Sequence, residues 1–179
     1  HSITLSPLAC NTTYFMQARA VDVDDHTGTS STTFTTDPCP VLTSDDFSST
    51  TLNPMWSFVN PVGDATLSLN GTQAVISIPG GVDHNLWGGA NRAPRLVQEA
   101  PDGDFELEAK FETAVVSRYQ MLGLVFEQDN NDFLRFEVHH NGTGVRAYAA
   151  NITNGSGVTA ADVAFTPGAA TYVRVTRSA

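Results

Sequence analysis

Between residues 104 and 138, apolar and polar side chains alternate in three runs separated by turn-like residues. Phe105, Leu107, Ala109 and Phe111 fall on one side, opposite Glu106, Glu108, Lys110 and Glu112. Leu122, Leu124 and Phe126 oppose Met121, Gly123, Val125 and Glu127, and Leu134, Phe136 and Val138 oppose Phe133, Arg135, Glu137 and His139. A period of two is the signature of β-strands, and slipping the register by one residue would bury the charges. This stretch therefore predicts a half-buried antiparallel sheet with Leu124 and Phe136 facing the core. Glu127, Arg135, Glu137, His139, Arg146 and Tyr148 are expected together on its wet outer face.

The same reading extends to the rest of the chain. Residues 66–69 and 74–78 form short alternating runs joined by Asn70-Gly71, a strong hairpin signal. Further strands are expected over 94–99, 144–150 and 171–176, with a polar Gly/Asn loop after residue 150. Gly and Asn crowd residues 80–93, a loop containing His84 and Trp87. Before residue 40, alternation over 2–8, a run over 14–23 and a Thr-rich run over 29–36 predict three more strands. No segment repeats apolar residues at helical spacing over three turns, so no helix is expected and the fold class is all-β.

Asp37-Pro38-Cys39-Pro40 interrupts the pattern, because two prolines fix the backbone and donate no ladder hydrogen bonds. The expected organisation is a small unit over 1–37, a linker over 38–43 and a larger unit over 44–179. Cys10 and Cys39 bracket the small unit and are the only cysteines. Their position favours a disulfide over two free buried thiols, and a disulfide implies an extracellular or cell-surface setting.

Composition narrows the function. The 179 residues are 41% apolar and 9% aromatic, enough for a packed core. A net charge of −10 with nine Lys and Arg argues against nucleic acid, whose phosphates need a basic surface. No apolar run approaches the ~20 residues of a membrane-spanning helix, so no membrane insertion is expected. His1 is not a natural start, which suggests a piece of a longer protein whose other domains are its neighbours.

Two resemblances refine this picture. Leu8, Thr13-Tyr14, Arg19-Ala20-Val21-Asp22 and Phe34-Thr35-Thr36 resemble the last three strands of a fibronectin type III domain. Asp45-Asp46-Phe47, Trp56, Asp104-Phe105-Glu106, Gly123-Leu124-Val125-Phe126 and Asp129-Asn130-Asn131-Asp132-Phe133 resemble a concanavalin A-like jelly-roll sandwich. That module is found at the C-terminus of bacterial β-xylosidases and in large secreted proteins. The resemblances imply a partial fibronectin type III sandwich, then a concanavalin A-like sandwich with its C-terminal strands cut short.

The function implied is a non-catalytic carbohydrate-binding or accessory module of a secreted bacterial multidomain protein, such as a glycoside hydrolase. The alternative is an adhesion or spacer module without sugar specificity. Sugar recognition needs planar hydrogen-bonding groups beside an aromatic plate. Trp87 is the candidate plate, with His84, Arg92, Arg135, Glu137, His139 and Tyr148 around it. No cofactor is expected beyond a structural calcium, for which Asp45 and Asp46 offer hard oxygen ligands.

Some sandwiches of this superfamily are glucanases with three acids on one strand face. Here Glu106 and Glu108 share a face with Lys110, so no catalytic residue is assigned. Five N-x-S/T sequons, at Asn11, Asn70, Asn141, Asn151 and Asn154, read as turn asparagines.

Overall fold

In the computed structural model, residues 3–178 are described. They are all-β: twelve strands pair antiparallel in five sheets, and no helix forms. Consequently no helix among the described residues is long and apolar enough to cross a membrane. The chain divides into two compact units. One is the chain up to Leu42 together with Glu99–Pro101, and the other is Thr43–Gln98 together with the chain from Asp102 onward.

The first unit is a hairpin of β1 (Thr13–Val21) and β2 (Thr27–Thr35), in register from Thr13↔Thr35 to Val21↔Thr27. Tyr14 stacks on Phe34 across the ladder at 5.7 Å, the kind of aromatic pair that stabilises neighbouring strands. The Tyr14 hydroxyl accepts the Ala9 N–H at 2.8 Å, and the Thr36 hydroxyl donates to the Ala9 carbonyl at 2.7 Å. Cys10 and Cys39 form the expected disulfide. The expected first strand is absent: residues 3–8 run without ladder pairing, and Ser2 lies outside the described residues. Ile3 is 85% exposed, so alternation there found no sheet to pack against.

The second unit is built around a four-stranded sheet in the order β11-β10-β9-β8. Its strands are β8 (Met121–Glu127), β9 (Phe133–His140), β10 (Val145–Thr153) and β11 (Ser156–Ala164). A second layer pairs β7 (Phe105–Phe111) with β12 (Thr171–Arg177). Phe105 of β7 stacks on Phe126 of β8 at 5.4 Å, and Phe126 meets Phe136 edge-on at 5.9 Å. Two shorter ladders complete the unit: β3 (Ser57–Val59) with β6 (Arg95–Val97), and β4 (Thr66–Leu69) with β5 (Ala74–Ser77). The Asn70-Gly71 turn closes β4 on β5, with Gly71 at φ +88° and the Asn70 side chain accepting the Thr72 and Gln73 N–H groups.

Strand β11 is a departure from the expected polar loop. Its residues are mostly small or polar and its pattern is weak, but β10 supplies a partner along its whole length, with one bulge where Ala149↔Ala161 gives way to Ala150↔Thr159.

The principal correction concerns the faces of the large sheet. Phe133, Arg135 and Glu137, expected on the wet side, are 3%, 4% and 7% exposed, whereas Leu134, expected inside, is 42% exposed. Phe133, Ala150 and Ile152 form the most deeply buried cluster together with Leu86, which comes from the Gly-rich loop. Alternation correctly separates the two sets of side chains. It cannot say that a loop would close over the second set, and that loop turns an outer face into a second interior.

Candidate functional site

The site lies on this loop-covered face. In-register pairs assemble it: Met121↔His139, Gly123↔Glu137 and Val125↔Arg135 between β8 and β9, then His139↔Arg146 and Glu137↔Tyr148 between β9 and β10. Strand β11 adds Asp162, opposite Tyr148. Gly123 is required by close approach, because a Cβ there would lie 2.1 Å from the Phe136 carbonyl oxygen.

Arg135 and Glu137 form the floor. The Arg135 guanidinium grips Glu137 through Nε at 2.9 Å and Nη2 at 2.6 Å, donates to the Leu86 carbonyl, and reaches the Met121 sulfur at 3.1 Å. Both side chains are about 95% buried, so the ion pair is tolerated only because its hydrogen bonds are met. Their polar atoms are spoken for, and they act as scaffold rather than as free ligand contacts.

Above that floor, three rings run in a row. Trp87 meets Tyr148 edge-on at 6.5 Å, and Tyr148 lies 5.0 Å from the His139 ring. The Arg135 guanidinium sits over Tyr148 at 5.6 Å. Trp87 is 37% exposed, and the far edge of its indole rests on Gly157, where a Cβ would come within 2.9 Å of the ring. His139 keeps 17% of its side chain exposed, with Nδ1 3.3 Å from Glu137. Arg146 is joined to Asp162 at 2.7 Å, and Tyr148 shares a hydrogen bond with Thr159.

The remaining expected residues sit apart from the row. His84 is nearly buried, with Nε2 2.8 Å from Asp64 and Nδ1 3.1 Å from the Val82 carbonyl oxygen. It pins the loop that presents Trp87. Arg92 lies on the same loop, where its main-chain N–H bonds to the Asn85 carbonyl oxygen and its guanidinium reaches Asp83 at 3.8 Å.

Asp45 spends one carboxylate oxygen on the Phe47 N–H and the other on the Trp56 indole N–H at 3.0 Å, while Asp46 caps the Ser48 N–H. Hydrogen bonds from Ser48 hold the Asp46 carboxyl below its ordinary value. These two acids thus stabilise a turn. Among the described residues, metal-competent groups converge only at Asp22, Asp24 and His26 in the β1–β2 turn, all exposed.

Glu106 and Glu108 lie on the exposed side of β7 with Arg174, whose Nη2 is 2.8 Å from Glu108. The Glu108 hydrogen bond raises the Arg174 pKa, so this group is a surface ion pair. Asp162, Met121 and Gly157 escaped the sequence reading. Asp162 and Gly157 lie on the strand read as a loop, and Met121 enters only through its sulfur contact with Arg135.

No family model, curated protein or solved structure matches the chain. The disulfide is compatible with an extracellular location.

Proposed function

We propose that the larger unit is a non-catalytic carbohydrate-binding module of the concanavalin A-like kind, and that the hairpin is the closing part of a fibronectin type III domain. Together they belong to a secreted bacterial multidomain protein, an accessory to a domain elsewhere in the parent, such as a glycoside hydrolase. The observation carrying the sugar reading is the row of Trp87, Tyr148 and His139 beside the Arg146–Asp162 pair. An aromatic row covers the C–H faces of sugar rings while flanking polar groups meet hydroxyls. The Tyr14 hydroxyl bonded back to Ala9 supports the fibronectin reading, since a tyrosine corner makes this bond.

The competing reading is an adhesion or spacer module without sugar specificity. It is favoured by the saturation of Arg135 and Glu137, which leaves fewer free donors than the sequence promised. Titration against a panel of soluble polysaccharides, followed by tryptophan fluorescence, separates the two. Binding that quenches Trp87 and disappears in Trp87→Ala supports the sugar reading. No binding across the panel supports the spacer.

A further inference from the structure

The larger unit is strongly paired in its charges. Arg92, Arg95, Lys110, Arg135, Arg146, Arg174 and Arg177 each have an acidic partner within 4.0 Å. Arg118 is the exception in this unit: among the described residues its guanidinium has no acidic partner. Its contact is with the Tyr119 ring, over which it lies 4.6 Å from the centroid.

The loop beneath it is built to hold this arrangement. Tyr119 sits at φ +68°, a region that bulky side chains avoid, and is still 69% exposed. Its N–H bonds to the His140 carbonyl oxygen at 2.8 Å. The Gln120 side chain accepts the Val116 and Ser117 N–H groups at 2.9 and 3.0 Å, fixing the turn. Arg118 also lies against Gly142, where a Cβ would come 3.2 Å from its Cδ. The loop joins the sheet one step beyond the Met121↔His139 pair, at the His139 end of the aromatic row.

We propose that Arg118 on Tyr119 is an anion subsite of the glycan site, taking the oxyanion substituent of a sugar: a carboxylate or a sulfate ester. A ring-backed guanidinium with unspent N–H groups meets two oxygens of a carboxylate or a sulfate at once, which an ammonium cannot do. The net charge of −10 repels a chain that is anionic at every residue. The ligand class is therefore a mainly neutral glycan with scattered acidic groups. This inference rests on the sugar-binding reading above.

The test measures affinity for matched glycans on one backbone: neutral, sparsely carboxylated and sparsely sulfated. Wild-type protein is expected to bind one acidic form about tenfold more tightly than the neutral form, as for one charge-assisted contact. The preferred form identifies the substituent. Arg118→Gln brings that ratio close to one, whereas Arg19→Gln, which alters a cation of the hairpin unit, leaves it unchanged. Equal wild-type affinity for neutral and acidic forms overturns the subsite while leaving sugar binding intact. A preference that survives Arg118→Gln also overturns it. Absence of binding to every form defeats the sugar reading, and the subsite falls with it.

Discussion

Arg135 donates an N–H to the main-chain carbonyl of Leu86, a residue 49 positions earlier, while the same guanidinium is clamped by Glu137. One buried cation thereby ties the Gly-rich loop to the middle of the large sheet. The loop in turn seals Phe133, Ala150 and Ile152. Arg135→Met removes the tie and leaves the Glu137 carboxylate buried without its main partner. The expected loss is about 3–5 kcal/mol in urea denaturation, the cost of orphaning one half of a buried pair. Arg135→Met combined with Glu137→Leu should recover much of that loss, because no charge is then stranded. A double variant as unstable as the single one would show that the Leu86 contact dominates.

Two glycines separate scaffold from site. At Gly123 an added Cβ meets main-chain atoms of Phe136 and Glu137, which cannot move without breaking the ladder. Gly123→Ala is expected to destabilise by about 3 kcal/mol or more, in the range of severe overpacking. At Gly157 the added atom meets the Trp87 ring instead, at the free end of a side chain. Gly157→Ala should cost little stability, yet shift the Trp87 emission maximum and weaken glycan binding. Unchanged emission in that variant would mean the indole does not rest on β11.

Reducing the Cys10–Cys39 bond releases a loop with a sequence separation of 29. The chain-entropy relation gives about 3.5 kcal/mol for such a loop. The effect should be confined to the hairpin unit, whose strands are largely exposed. Hydrogen exchange after reduction is expected to speed up across β1 and β2 while β8–β10 keep their protection. Uniform loss across both units would contradict this.

Acid should act on the β1–β2 turn. The His26 N–H bonds to the Asp22 carboxylate, and this contact first, with the His26 side chain and Asp24 N–H adding to it, holds the Asp22 pKa below its ordinary 3.8. A depressed folded-state pKa means that the stabilisation is present above 3.8 and is lost as pH falls through the lower folded value. Titration of Asp22 by NMR should show a midpoint below that of an unstructured aspartate, and Asp22→Asn should abolish the acid sensitivity of the turn. A midpoint at or above the ordinary value would refute the assignment.

His84 offers a test of loop anchoring apart from the sheet. Its ring bridges Asp64 and the Val82 carbonyl, far in sequence from Arg135. His84→Ala should raise local hydrogen exchange over residues 82–92 with only a modest loss of global stability, about 1–2 kcal/mol for a buried polar contact. Unaltered exchange there would mean that Arg135 and the Asn91 hydrogen bond to Glu127 hold the loop without His84.

Much of the architecture was written in one-dimensional pattern. The alternating runs that become β7, β8 and β9, the hairpin at Asn70-Gly71, the absence of helices and the pairing of Cys10 with Cys39 all follow from local preferences, whereas the pairing of β7 with β12 instead of with the sheet of β8 and β9 does not. A side-chain period of two, turn chemistry and the placement of two cysteines act over short stretches or through unique partners. Strand β11 was not legible, because Ser156–Ala164 gains its structure from β10 rather than from its own apolar content. Residues 3–8 show the converse, alternation with no neighbour to pair with.

The candidate site divides the same way. Trp87, Tyr148, Arg135, Glu137 and His139 were visible as residue types suited to sugar recognition, and the register does bring the last four side by side. Only the tertiary structure decided which of them remain available. The loop carrying Leu86 and Trp87 folds onto the face that alternation alone marks as wet, burying Arg135 and Glu137 as scaffold and leaving the ring row half-buried, with Trp87 its exposed member. Alternation fixes which side chains point together, because the pleat is local. Which side meets water depends on distant chain folding back over it, and no local pattern records that.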